Sequence, residues 1–259
     1  MDRHLHSHQH ADGGPLMSHE ALRAVVANGE LSATLAAHIT ILADAGVPIV
    51  VTGSATAERR AALAEAIAVA SPLPAGAESA EIKIAPEEAF VWLADPAGIG
   101  CLVAGAGGAP RSPRSTRLIA HGLIEHLSAT TTKTVVRSLV RGFPLIATAP
   151  GRDLADLLDL LRGANLRVPE DDLHRLGLVV VLGGDATAQS HVESAHLLRA
   201  PALDGGARRP PALLATWSGP GSWDDFAWAA LPELAARVGV TQSVYNSQFA
   251  ARERELATP

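Results

Sequence analysis

The chain carries a single cysteine, Cys101, in 259 residues. No internal disulfide can form, and a zinc site built on cysteines is excluded, which favours a cytoplasmic setting. Aromatic residues make up only 3% of the sequence, so Ala, Leu and Val must fill the interior within a hydrophobic total of 47%. That composition is ordinary for an α/β protein. No apolar run reaches the roughly 18–20 residues of a membrane helix, so no membrane insertion is expected. The N-terminus has no apolar stretch of the kind a secretory signal needs. Positive charge is not in excess either. The formal net charge is −6, which removes the electrostatic basis for non-specific nucleic-acid binding. Lysine is nearly absent: of 21 basic residues only Lys83 and Lys133 are lysines, and neither follows a glycine turn.

What is present is a strand-and-helix pattern behind a histidine-rich leader. Residues 1–17 read as a disordered tail in which His4, His6, His8 and His10 offer imidazoles to a transition metal. Elsewhere the histidines are scattered and no metal site is expected. Helical spacing starts at Ser18, breaks at Asn28–Gly29, and resumes behind Ser32 as a cap up to Ala45. Short apolar runs at Pro48–Thr52, Pro144–Thr148 and Leu178–Leu182 read as buried strands. Weaker strand candidates are 81–84, 90–93 and 100–103. Ala57–Val69 and Asp153–Leu161 read as helices, the second capped by Asp153, and Thr116–Leu127 reads as helix or mixed. His191–Leu198 and Ala212–Trp217 suggest an antiparallel pair, followed by helices at Trp223–Val238 and Thr241–Glu255. Strands alternating with helices imply a mainly parallel sheet sandwiched by helices, with an appended antiparallel hairpin.

The stretch "VTGSATAERR" (Val51–Arg60) sits between a strand and a helix, where a phosphate-binding loop would lie. Such a loop needs a second glycine, a lysine and a hydroxyl residue, so that backbone N–H groups and the ammonium hold phosphates and the hydroxyl holds Mg²⁺. Here those places hold Glu58, Arg59 and Arg60. Glu58 brings negative charge where polyphosphate would lie, and Arg60 removes the metal-binding hydroxyl. The helix N-terminus still allows nucleotide or anion binding through Gly53, Ser54, Thr56, Arg59 and Arg60. The plainer expectation is that Glu58 and the two arginines form the solvated first turn of an ordinary helix.

From about Leu22 to Val240 the ordered segments resemble the secretion ATPase superfamily, the hexameric motors of type II and type IV secretion and of type IV pili. "VANGELSATLAAHITILADAGVPIVVTG" is similar to the family's lead-in, and "FPLIATAPGRDLADLLDLLR" to the strand and helix around its histidine box. "VPEDDLHRLGLVVVL" is similar to the end of its core sheet, and "HVESAHLL" with "ALLATWSG" to its closing hairpin. The resemblance implies a RecA-like P-loop core as a single domain over 18–240, with a C-terminal helix and tail over 241–259. It also implies a homo-oligomer, or a partner among secretion or pilus motor subunits.

The family's chemistry carries over poorly. Its Walker B segment matches "LIEHLSA", which makes Glu125 and His126 the candidate catalytic residues; its histidine box puts Pro150 where the hallmark histidine stands, and its acidic box falls near Glu87 and Glu88. The leading expectation is a degenerate member with a structural or regulatory role and no cofactor. The alternative is a divergent, active NTPase using ATP and Mg²⁺, with Arg59 in place of lysine, Thr56 holding the metal and Glu125 as base. An unrelated small-molecule enzyme on the same scaffold has no named site. Arg111, Arg114 and Arg117 flank a Gly/Pro loop, where the family senses neighbouring subunits and where plain solvation is equally open. Trp217, Trp223 and Trp228 are expected to cover the hairpin, and any that is exposed would mark an interface.

Overall fold

The computed structural model describes residues 19–73, 76, 79–93, 111–184, 190–199 and 209–258. The histidine-rich tail at 1–17 and the strand expected at 100–103 lie outside the described residues.

Continuous apolar runs become strands buried on both faces. They are β1 (Ile49–Thr52), β3 (Thr116–Ala120), β4 (Leu145–Thr148) and β5 (Leu178–Gly183), every residue of which is buried. The edge strand β2 (Ala80–Lys83) alternates between half-buried and exposed positions. These five pair in parallel in the order β2-β3-β4-β1-β5. Beyond β5 the sheet continues antiparallel through β6 (His191–Leu197), β7 (Ala212–Gly219) and β8 (Ser222–Asp225). The protein is therefore α/β, with an eight-stranded, mostly parallel mixed sheet among the described residues. The expected antiparallel hairpin is present and carries one further strand.

Side chains alternate across the sheet and feed two apolar layers. Ile49, Val51, Val180 and Leu182 pack on the face covered by α1 (Glu20–Ala27), α2 (Ala33–Asp44), α3 (Ala57–Ala70), α7 (Leu231–Val238) and α8 (Gln242–Ala257). Val50, Ala147, Val179 and Val181 pack on the opposite face, beneath α4 (Ala129–Val140), α5 (Leu154–Arg162) and the short α6 (Glu170–Leu173). Ser32 and Asp153 cap α2 and α5 as expected, accepting from Leu35 N–H and Asp156 N–H.

Some segments differ from the sequence expectation. Thr116–Leu127 is not helical: its first five residues are β3, with Arg117 the second residue of a wholly buried strand. Residues 90–93 form no strand. Glu88 accepts from Phe90 N–H and Trp92 Nε1 and so holds a turn, with Phe90 at φ 52°. The helix expected from Trp223 begins only at Leu231, because Trp223 belongs to β8 and pairs with Trp217. Arg117 is not a solvated arginine. It is 3% exposed, donates to the carbonyls of Ala68 and Ser71, and meets Glu81.

Candidate functional site

β1 is the point where the chain's direction of travel across the sheet reverses. After α3 the chain builds β2, β3 and β4 on one side of it, and β5 lies on the other. In open α/β sheets ligands bind outside the C-terminal ends of the strands at such a point. The pairings Val51↔Thr148 and Thr52↔Val181 bring the ends of β4, β1 and β5 level there. The loop 53–56 leaves β1 at this place, and Thr56 opens α3.

Gly53 is required by close packing. Its φ is +124°, and a Cβ there would lie 2.1 Å from the Leu182 carbonyl oxygen. Its N–H donates to the Gly151 carbonyl at 2.8 Å, and Ala55 N–H donates to the Leu182 carbonyl at 3.1 Å. Two of the backbone donors that a phosphate would need are thereby spent on neighbouring strand ends. Ser54 is exposed, and its Oγ donates to the Gly184 carbonyl at 3.4 Å. Thr56 is the helix cap, accepting from Arg59 N–H through its hydroxyl.

Arg60 fills the loop. It is 7% exposed, and its Nη1 donates to the carbonyls of Ala55 at 2.8 Å and Gly53 at 3.3 Å. Its Nη2 meets Glu125 Oε1 at 2.5 Å. Two carbonyl oxygens therefore converge on a guanidinium, the reverse of the polarity phosphate requires. Arg60 Nε is buried without a hydrogen-bond partner. Its neighbours on α3 explain its direction: Arg60 shares the buried face with Leu63, Ala64 and Ile67, at spacings of three, four and seven. That spacing could have been read from the sequence, and for Arg60 it corrects the expectation of a solvated first turn, while Glu58 and Arg59 are exposed as expected.

The remaining expected residues are deployed separately. Glu58 is fully exposed at the start of α3. Its carboxyl is held below the usual range first by its own backbone N–H, then by the Thr56 hydroxyl, with a further contribution from Arg60. The helix N-terminus thus already carries an anion of its own. Arg59 does not reach the loop carbonyls: its Nη1 donates to Ser190 Oγ at 2.8 Å, and Ser190 donates to Glu30 Oε2 at 2.7 Å. Glu125 does reach the loop, but its charge meets Arg60. His126 closes its own turn, donating from its N–H to the Gly122 carbonyl and lying where a Gly122 side chain would be.

His121, one of the scattered histidines, directly follows β3 with its Nε2 3.7 Å from Glu65 Oε1 on α3. Sequence reading missed Thr148, whose Oγ1 accepts from Gly122 N–H at 2.8 Å and ties the two strand ends together.

Among the described residues no group of three or more His, Cys, Asp or Glu side chains is placed to hold a metal ion. No helix among them is long and apolar enough to cross a membrane. Compared with known proteins, the chain matches no family model and no curated sequence.

Proposed function

We propose that the chain is a catalytically degenerate relative of the secretion and pilus ATPases, with a RecA-like P-loop core and a structural or regulatory role. The observation that carries this reading is Arg60. Its guanidinium occupies the loop after β1, bonded to two loop carbonyls and to Glu125, the residue the resemblance makes the catalytic base. Support for the scaffold comes from the position of that loop, at the switch point of a parallel sheet. The antiparallel extension β6–β8 beyond the parallel strands is in keeping with the closing hairpin that the resemblance implies. Phosphate at the loop would meet carbonyl oxygens, a buried cation already paired, and the Glu58 carboxylate. A self-associating or motor-binding subunit needs an exposed contact surface, and Trp228, 69% exposed beyond β8, offers one.

The test is a thermal-shift titration with ATP, ADP and inorganic phosphate, each with and without Mg²⁺. Ligand at 100 times its Kd adds about 2.7 kcal/mol to the native state. For a chain of this size that is a rise of about 5–10 °C. The expected result is no shift at millimolar nucleotide. A Mg²⁺-dependent ATP shift, abolished in Arg59→Ala, would overturn the reading and establish a divergent NTPase.

A further inference from the structure

At the other end of the sheet, where β6 finishes at Leu197 opposite the start of β5, three arginines gather around one glutamate. Glu233, in the first turn of α7, accepts from Arg199 Nε at 2.8 Å on one oxygen and from Arg209 Nη1 at 2.6 Å on the other. Arg237, one turn further along α7, donates from Nη2 to the Leu198 carbonyl. Burial first, and then the charge of Arg175, press its guanidinium toward the neutral form, with Glu233 opposing. These side chains line a cavity of about 230 Å³ whose apolar wall is Leu197 and Ala236.

Among the described residues one carboxylate faces three guanidinium groups at this cavity, on a chain of net charge −6. Each guanidinium carries five N–H donors. Among the described residues, hydrogen bonds engage Nε and Nη1 of Arg199, Nη1 of Arg209 and Nη2 of Arg237. Arg209 also borders a second cavity of about 270 Å³, lined by Leu158, Pro211 and His174 among others. Both ring nitrogens of His174 are buried without a hydrogen-bond partner. The nearest carboxylate, Glu170, is 4.0 Å away and is held by Arg162 on both oxygens. Among the described residues, surplus positive charge, donors in reserve and an apolar wall therefore meet in one seam.

We propose that this seam binds a compact organic acid, its carboxylate or phosphate oxygens held by Arg199, Arg209 and Arg237 and its apolar body resting on Leu197 and Ala236. Guanidinium groups match such oxyanions in geometry as well as charge. The first cavity has the volume of about eight water molecules, the size of a single ring or short chain. This site is independent of the Gly53 loop and of the kinship proposed above.

Calorimetric titration of the full chain with phenyl phosphate, benzoate and inorganic phosphate tests the proposal. Two variants accompany it. Arg209→Gln alters a side chain that is 55% exposed, and Ala236→Phe, at an exposed position, fills the cavity from its rim. Both should keep the native thermal midpoint. The expected result is saturable binding of phenyl phosphate or benzoate, weakened about tenfold in Arg209→Gln by loss of charge-assisted hydrogen bonds and abolished in Ala236→Phe. Three results would overturn it. The first is no saturable binding of either organic acid up to about 10 mM, weaker than any specific site of this kind. The second is unchanged affinity in both variants. The third is inorganic phosphate binding as tightly as phenyl phosphate, which would make the seam a site for an adventitious ion only.

Discussion

Replacing Arg60 by methionine keeps the apolar stem on the buried face of α3 and deletes only the charged head. Three groups then lose their partner: the carbonyls of Gly53 and Ala55, and the Glu125 carboxylate. Breaking a fully buried ion pair costs about 3–5 kcal/mol, because the survivor is left charged and unsolvated. Here Glu125 has 27% of its side chain exposed, so water recovers part of its solvation. Arg60 Nε, buried and unpartnered, is relieved by the same change, which returns about 1–3 kcal/mol. The carbonyls, now facing methionine, add a loss of similar size. The net expectation is a destabilisation of about 2–4 kcal/mol. Urea denaturation followed by circular dichroism measures it as a lower midpoint at constant slope. A cycle with Glu125→Gln should return a coupling of about 1–3 kcal/mol between the two side chains. Arg59→Met removes one exposed-side hydrogen bond to Ser190 and should cost only about 0.5–1 kcal/mol. If Arg60→Met costs less than about 0.5 kcal/mol, as an ordinary surface change does, Arg60 lies in solvent and the loop stands open. The central support for a disabled site would then be gone.

Two further perturbations test the frame around that loop. Gly53→Ala places a Cβ 2.1 Å from the Leu182 carbonyl oxygen at φ +124°, backbone against backbone, so about 3 kcal/mol or more should be lost. A denaturation midpoint within about 1 kcal/mol of the parent would show that β1 and β5 do not approach as described. The second perturbation is pH. His38 on α2 is buried, bonded through Nδ1 to the Tyr245 hydroxyl at 2.7 Å and stacked on Phe249. Burial pushes its pKa down to about 4 from 6.5, with Asp225 opposing. Because the folded value is the lower one, the unfolded chain takes up the proton first as pH falls. The contribution of His38 is therefore complete above about pH 6.5 and is lost progressively down to about pH 4, a change of about 3 kcal/mol. Denaturation across this window should show a flatter pH dependence in the double variant His38→Leu/Tyr245→Phe. An unchanged dependence would assign the effect to other groups.

The sequence by itself determined the class of the fold and the place where a site would be sought. β1, β4 and β5 were legible because strands buried on both faces must be apolar throughout, and Ser32 and Asp153 marked helix starts because a cap is a local hydrogen bond. The departures of the loop from a phosphate-binding pattern were equally legible, since each is a residue type set against a fixed chemical need. β3 was hidden because it carries Arg117, a charge whose partners, Ala68, Ser71 and Glu81, lie on other elements. The fate of the two arginines after Thr56 was decided only by tertiary structure. Adjacent positions on a helix point about 100° apart, so Arg60 enters the loop while Arg59 goes to Ser190. Glu125, which completes the loop, is 65 residues from Arg60 in sequence. Ser190, which holds Arg59, is 131 residues from it. No local pattern encodes contacts at such separations; they exist because the sheet brings the ends of its strands to one edge.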